Sequence, residues 1–207
     1  LCHLPMFYCK NPKKILIVGG GDGGALEEVL KHPVDKVWMV EIDKKVIDIS
    51  KKYLPSISRG ALDNKKAEIV VEDGTKFIKN YNNFFDVIVF DLSDPQGPAK
   101  KVISLNFYKD VKKALKKGDG VVSVQGGCFF DQSKLVAMIF HRLKKVFPSV
   151  IIHKAIVPLY GLGELNFTVA ANFDLRKTTL KDIEGRFKKL NLNLAYYSPK
   201  IHFASAI

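Results

Sequence analysis

The sequence contains only three cysteines, Cys2, Cys9 and Cys128, and their spacing matches no metal-binding pattern. Such sparse cysteine usage favours a reducing compartment, so we expect a cytoplasmic protein. No apolar run approaches the roughly 20 residues that a membrane span requires, and the first residues do not resemble a signal peptide. Charged residues make up 26% of the chain and no low-complexity segment occurs, which excludes a mainly disordered or fibrous protein.

The 207 residues include 47% hydrophobic residues, enough to build the core of one globular domain. Lys and Arg number 33 against 21 Asp and Glu, a formal net charge of +12. The lysines are scattered as pairs along helix-like segments, and no aromatic platform of a single-strand binder is interleaved with them. Solvated helix faces are therefore the simplest interpretation and nucleic acid is a less favoured partner, while a polyanion-binding face remains open.

Short apolar runs alternate with segments of helical periodicity along the chain. Strands are predicted at residues 14–18, 37–41, 68–71, 86–90, 120–124, 149–157 and 165–171. Helices are predicted at residues 22–31, 43–54, 107–115 and 135–146. Repeated strand–helix units of this length imply an α/β fold in which helices cover both faces of a parallel sheet. We expect one domain over residues 1–207.

A glycine-rich loop separates the first predicted strand from the first predicted helix. Its glycines, which allow close approach of a ligand to the backbone, are Gly19, Gly20, Gly21, Gly23 and Gly24. Glu41 closes the next strand, roughly 20 positions on, where nucleotide-binding folds place an acid on the ribose hydroxyls. Asp22 inside the loop would repel a pyrophosphate. The loop therefore suits a nucleoside without phosphates, preferably a cationic one, although a tight turn also requires glycine.

Further acids follow the third and fourth predicted strands. Asp73 could accept a hydrogen bond from an adenine amino group or could instead cap a helix. Asp91 and Asp94 follow the fourth strand, and turn formation alone also accounts for Asp94. Because ligands of open α/β sheets bind outside the carboxyl ends of the strands, we expect Asp22, Asp91 and Asp94 to converge on one mouth. Carboxylates crowded in this way favour cationic ligands and disfavour a substrate carboxylate.

These motifs closely resemble the spermidine synthase (polyamine aminopropyltransferase) family over nearly the whole chain. The resemblance is carried by residues 19–24 (GGGDGG), 40–43 (VEID), 72–74 (EDG), 91–99 (DLSDPQGPA), 124–126 (VQG) and 157–160 (VPLY). It implies a Rossmann-like, methyltransferase-type sheet of seven strands whose final strand is reversed. It also implies transfer of aminopropyl from decarboxylated S-adenosylmethionine to putrescine or a related amine, which releases 5′-methylthioadenosine. The N-terminal β segment that this family normally carries is expected to be absent from this sequence.

The resemblance assigns roles around the reacting atoms. It implies that Asp91 is the general base and that Asp94 anchors the acceptor amine. Tyr160 would hydrogen-bond the diamine, Asp22 would bind the amine of the aminopropyl group, and Gln125 would belong to the substrate-binding set. No metal or cofactor is implied, because the sulfonium is already a good leaving group and decarboxylated S-adenosylmethionine is a co-substrate.

The resemblance also assigns the nucleoside site and the assembly. Glu41 would bind the ribose hydroxyls, Asp73 with Gly74 the adenine, and Pro98 and Ala99 would wall the adenine pocket. A homo-oligomer, dimer or tetramer, is expected, and no membrane partner. A methyltransferase that uses intact S-adenosylmethionine and a non-catalytic, nucleoside-binding relative remain alternatives.

Overall fold

The computed structural model describes residues 1–92, 101–157 and 163–207. In these ranges the strands form one seven-stranded sheet in the order β3-β2-β1-β4-β5-β7-β6. The strands are β1 (Lys14–Gly19), β2 (Lys36–Glu41), β3 (Ala67–Val71), β4 (Val87–Asp91), β5 (Val121–Gln125), β6 (Ser149–Ile156) and β7 (Glu164–Ala171). Strands β1 to β5 are parallel, and β7 runs antiparallel to both β5 and β6. The expected seven-stranded α/β sheet with a reversed final strand is confirmed.

Helices precede, connect and follow the strands. They are α1 (His3–Tyr8), α2 (Gly24–Leu30), α3 (Lys44–Tyr53), α4 (Pro55–Ser58), α5 (Gly74–Phe77), α6 (Leu105–Ala114), α7 (Phe129–Lys144), α8 (Leu180–Leu190) and α9 (Pro199–Ala204). Short 3₁₀ turns occupy Ala61–Asp63, Ile78–Asn80 and Leu175–Lys177. Among the helices of the described ranges, none combines the length and the apolar character needed to cross a membrane.

The sheet separates two hydrophobic cores. Ile15 and Ile17 of β1 point to one face, where they join residues of α1, α2 and α8. Leu16 and Val18 point to the other face, where they join residues of α6 and α7. All four side chains are at most 3% exposed. A strand buried on both faces reads as a continuous apolar run, which is why the sequence predicted β1 and β4 well.

Helix starts follow local capping chemistry. Asp43 accepts a hydrogen bond from the backbone amide of Lys45 at 2.8 Å and starts α3, one residue after the predicted start. Helix α7 begins at Phe129, earlier than the predicted Leu135, and its backbone is non-helical at Gln132. The sequence prediction did not include α1, α8 or α9.

The strand register brings the ends of the parallel strands to one edge of the sheet. Gly19 lies opposite Asp91, at the ends of β1 and β4. Glu41 lies opposite Val71, at the ends of β2 and β3. We call this the carboxyl edge, and the opposite one, where β1 to β5 begin, the amino edge.

Candidate active site

The glycine loop between β1 and α2 is bonded directly to the end of β4. The Gly20 amide donates to the carbonyl oxygen of Asp91 at 2.9 Å, and the Gly23 amide donates to the carbonyl oxygen of Gly20 at 2.8 Å. Gly19 has a φ of +85°, and a Cβ there would lie 2.1 Å from the carbonyl oxygen of Asp91. Both the backbone conformation and the close approach therefore require glycine at position 19.

The carboxyl group of Asp91 lies beneath this loop. A Cβ at Gly20 would be 3.1 Å from Oδ2 of Asp91, so the missing side chain leaves the carboxylate its space. Burial is the largest cause of a pKa of Asp91 raised to about 6, and the negative charges of Asp22 and Glu41 contribute to the same rise. A carboxylate with this pKa is ionised at neutral pH, yet it holds a proton more readily than an ordinary aspartate.

Glu41 and Asp73 are held by local hydrogen bonds at the ends of β2 and β3. Oε1 of Glu41 accepts from the backbone amide of Asp43 at 3.0 Å. Oδ1 of Asp73 accepts from the amide of Thr75 at 2.8 Å and from its hydroxyl at 2.7 Å. Burial acts to raise the pKa of Asp73, but these hydrogen bonds act against burial, and the pKa is lowered. The helix-capping interpretation of Asp73 is thus confirmed, and its Oδ2 stays outside both bonds.

A cleft of about 650 Å³ opens at the carboxyl edge. Its lining combines carboxylates with apolar side chains: Val18, Gly19, Val40, Glu41, Ile42, Val46, Asp73, Gly74, Thr75, Asp91, Leu92, Lys101 and Val102. A Cβ at Gly74 would lie 2.5 Å from Cγ1 of Val18, so only glycine lets α5 start this close to β1. The volume and the mixture of apolar walls with a few polar groups suit a nucleoside-sized ligand.

Asp22 stands apart from the cleft lining, in the loop before α2. Its Oδ1 accepts from the amide of Gly24 at 2.9 Å, which fixes the side chain at the start of α2. The charge of Asp22 is the largest contribution after burial to the raised pKa of Asp91. The structure therefore brings Asp22 and Asp91 together electrostatically, while Glu41 and Asp73 share the cleft with Asp91.

Comparison with known proteins identifies the family. The family model described as the spermine/spermidine synthase domain matches residues 1–182. The chain belongs to that family.

Relatives and solved structures in this family are similar along the whole chain. A polyamine aminopropyltransferase of Caldicellulosiruptor saccharolyticus is 40% identical over 205 residues, which cover 99% of this chain and 71% of that protein. Polyamine aminopropyltransferase 1 of Bacillus cereus is 41% identical over 206 residues, 99% of this chain and 72% of that protein.

Among solved structures, spermidine synthase in complex with the transition state analogue AdoDATO matches with a TM-score of 0.92 at 37% identity. The matched region covers 99% of this chain and 69% of the spermidine synthase chain. Spermidine synthase from Thermotoga maritima matches with a TM-score of 0.91 at 37% identity, and covers 100% of this chain and 69% of that one.

The remaining predicted residues of the family site fall into two groups. Gln125 is the last residue of β5. The residue before it, Val124, pairs with Phe90 of β4, so Gln125 lies beside the end of β4. It is absent from the lining of the nucleoside-sized cleft. The other predicted residues, Asp94, Pro98, Ala99 and Tyr160, lie outside the described residues.

Among the described residues of the cleft lining, Lys101 is the charged one that the sequence did not predict. Its exposed side chain lines the cleft together with Asp73, and its charge contributes to the lowered pKa of Asp73. The mouth is therefore acidic around Asp91 but carries a cation beside Asp73. Only the folded chain brings these positions together, and a single lysine within a lysine-rich sequence gives no signal of it. Within the described ranges, no group of three or more His, Cys, Asp or Glu is arranged to hold a metal ion.

Proposed function

We propose that this chain transfers an aminopropyl group from decarboxylated S-adenosylmethionine to putrescine or a related amine, and that residues 1–207 act as one catalytic domain. The observation that carries the proposal is Asp91, a carboxylate whose pKa is raised to about 6. It lies beneath a glycine loop, at the end of a cleft that fits a nucleoside. Family membership supports this function, since relatives similar over nearly the whole chain are named polyamine aminopropyltransferases.

Asp91 is the proposed general base. An alkyl ammonium has a pKa of about 10.4, so removing its proton at pH 7 costs roughly 4 to 5 kcal/mol. Asp91 accepts that proton, and the nitrogen lone pair attacks the aminopropyl carbon bonded to the sulfonium sulfur. A new C–N bond forms as the C–S bond breaks, and the bonding electrons leave with 5′-methylthioadenosine. The cleft contributes by holding the two reactants in line.

The acids around Asp91 select cationic reactants. Asp22 is proposed to hold the ammonium of the aminopropyl group, and Asp94 and Tyr160 the acceptor amine, with Gln125 in the same substrate-binding set. A carboxylate–ammonium contact at about 4 Å is worth roughly 4 kcal/mol at an effective dielectric of 20, before desolvation is subtracted. An intact S-adenosylmethionine would place its own carboxylate against these acids. The site therefore favours the decarboxylated form.

The cleft is proposed to hold the nucleoside. The ribose hydroxyls bind Glu41, and the adenine binds Oδ2 of Asp73 and the backbone of Gly74, with Pro98 and Ala99 as walls of its pocket. The capping bonds to Thr75 use only Oδ1 of Asp73, so helix start and ligand can be satisfied at once.

The test is product analysis by mass spectrometry. The purified chain is incubated with decarboxylated S-adenosylmethionine and, in separate reactions, putrescine, cadaverine, agmatine or spermidine. Intact S-adenosylmethionine replaces the co-substrate in a parallel series. We expect an aminopropylated amine and methylthioadenosine in the first series. Methylated product in the parallel series would instead indicate a methyltransferase, and nucleoside binding without any product would indicate a non-catalytic relative.

We also propose that the protein works in the cytoplasm as a homo-oligomer. The three cysteines are free and buried, which suits a reducing compartment. Light scattering of the purified chain measures the assembly, and a monomeric mass would contradict the second part of this proposal.

A further inference from the structure

Lysines gather at the amino edge of the sheet, away from the acidic mouth. The last turn of α6 contains Lys112 and Lys113, and hydrogen bonds tie this turn to the chain before β4. Lys116 and Lys117 follow before β5 starts at Val121. A lysine-rich surface at the amino edge thus lies opposite the acids around Asp91 at the carboxyl edge.

Part of this surface is concave. A cavity of about 500 Å³ is lined by Asn82, Lys109, Lys112, Lys113, Leu115, Lys117, Gly118, Pro148 and Asn172. Among the residues that the structure describes, the lining includes four lysines and no acidic residue. We call it the lysine cavity. Its walls come from α6, the loop that follows α6, and residues before β4, before β6 and after β7.

The lysines of the cavity differ in how they are held. The Lys112 ammonium donates to the carbonyl oxygen of Val146 at 2.6 Å. Lys109, Lys113 and Lys117 are exposed, and no carboxylate of the described residues lies within 4.0 Å of their ammonium groups. These ammonium groups therefore have no carboxylate partner among the described residues, and a bound anion would supply one.

The dipole of α6 explains only part of this arrangement. Lysines in the last turn of a helix are favourable there, which accounts for Lys112 and Lys113. It does not account for Lys117 beyond the helix, or for Lys109 one turn earlier, facing the same cavity. The described part of the chain contributes no aromatic side chain to the lining, and so provides no surface there on which a nucleobase could stack.

We propose that the lysine cavity binds a compact chain of phosphate groups, such as the triphosphate of a nucleotide or a short inorganic polyphosphate. Several adjacent phosphates match several ammonium groups around one concavity, whereas a single anion would contact only some of them. This site is separate from the catalytic cleft, because the two lie at opposite edges of the sheet.

The test measures binding of inorganic tripolyphosphate by calorimetry at several salt concentrations. The variant K109A/K113A/K117A removes three cavity charges and leaves Lys112 with its backbone bond. The control variant K181A/K188A/K189A removes three exposed lysines of α8 and gives the same net charge. We expect saturable binding to the unchanged chain, binding weakened roughly ten-fold or more in the cavity variant, and a control like the unchanged chain.

Equal weakening in both variants would overturn the proposal, because the total charge of the protein would then account for the binding. Absence of saturable binding to the unchanged chain would overturn it as well. ATP, with its triphosphate, should compete with tripolyphosphate for the unchanged chain. A short single-stranded RNA is tested in parallel, and binding of RNA without tripolyphosphate would also overturn the compact-ligand assignment. Methylthioadenosine affinity, measured on the same samples, should be the same in all three proteins and reports that the variants are folded.

Discussion

The backbone amide of Gly20 donates a hydrogen bond to the carbonyl oxygen of Asp91 at 2.9 Å. The loop that approaches the nucleoside is thereby attached to the residue that we propose as the base. Any change that moves the loop also moves the end of β4, so nucleoside binding and proton transfer depend on the same few backbone atoms.

Replacement of Gly19 by alanine tests this attachment. The new Cβ would meet the Asp91 carbonyl oxygen at 2.1 Å, and φ at Gly19 is +85°. We expect Gly19→Ala to lower the free energy of unfolding by more than about 2 kcal/mol and to abolish methylthioadenosine binding. Gly60→Ala is the matched control, because Gly60 has a φ of +81° and no atom of the described residues lies within 4 Å of its Cβ position. The control should lose only about 1 kcal/mol in denaturant unfolding. Equal losses would show that the contact is unimportant.

Replacement of Asp91 by asparagine separates catalysis from binding. Without a base at this position, aminopropyl transfer should become undetectable by mass spectrometry. Methylthioadenosine affinity should stay within a few-fold, because the cleft keeps its other lining residues. A large loss of that affinity would contradict the assignment of Asp91 as base.

The same substitution should stabilise the fold at neutral pH. The pKa of Asp91 is raised from 3.8 to about 6, first by burial, so the folded chain binds this proton more tightly than the unfolded chain. Stability is therefore lost as pH rises from about 4 through 6. Asparagine has no charge to bury, and we expect Asp91→Asn to gain roughly 1 to 3 kcal/mol at pH 7 and little at pH 4. Thermal unfolding at the two pH values measures this, and a gain independent of pH would refute the explanation.

Removal of the Asp22 charge should change both pH dependence and selectivity. Since Asp22 helps to raise the pKa of Asp91, Asp22→Asn should move the acid limb of kcat/KM to lower pH. It should also reduce the preference for decarboxylated over intact S-adenosylmethionine in competition binding. Asp35→Asn is the control, because Asp35 is an exposed carboxylate beside the start of β2, at the amino edge. An acid limb that does not move in Asp22→Asn would exclude the electrostatic coupling.

Buried histidines should make the fold sensitive to acid. Burial lowers the pKa of His32 and His202 to about 3 and that of His153 to about 4, so all three are neutral in the folded chain. The free energy of unfolding therefore includes their full contribution above pH 6.5, and this contribution is lost as the pH falls from 6.5 towards 4, because the unfolded chain then binds protons that the folded chain does not. Each contributes up to about 1.4 kcal/mol per pH unit in this window.

His202→Asn tests one of these groups. His202 is fully buried, and its Nδ1 lies 2.7 Å from the hydroxyl of Tyr197. The variant should be less stable at pH 7 but lose less stability between pH 6.5 and 4, as followed by urea unfolding. His141→Asn, on the exposed part of α7, should keep the pH slope of the unchanged chain. If His202→Asn keeps that slope too, the buried histidine is not its source.

The sheet and much of the cleft follow from the sequence because both depend on short-range patterns. Runs such as residues 15–18 are apolar at every position, which identifies strands buried on both faces. The rule that parallel strands present their carboxyl ends at one edge then places Glu41, Asp73 and Asp91 around one cleft. No comparable rule exists for Lys101, whose position depends on how the chain returns to the cleft.

The missed helices differ in the signal that the sequence gives. Helix α8 has an amphipathic pattern and a capping box between Thr179 and Asp182, which the prediction overlooked, whereas α1 lacks such a pattern. In α1, every residue from Leu4 to Tyr8 is buried, so no polar face alternates with an apolar one. The histidines gave no signal either. His32 is only 3% exposed, and its Nε2 lies 2.9 Å from Nδ1 of His3, a partner brought near by the fold.

The lysine cavity and the opening beside Asp91 lie at opposite edges of the sheet. Molecules held on a sulfonate resin through the lysine cavity would therefore keep that opening towards the liquid, where dissolved amines could reach it.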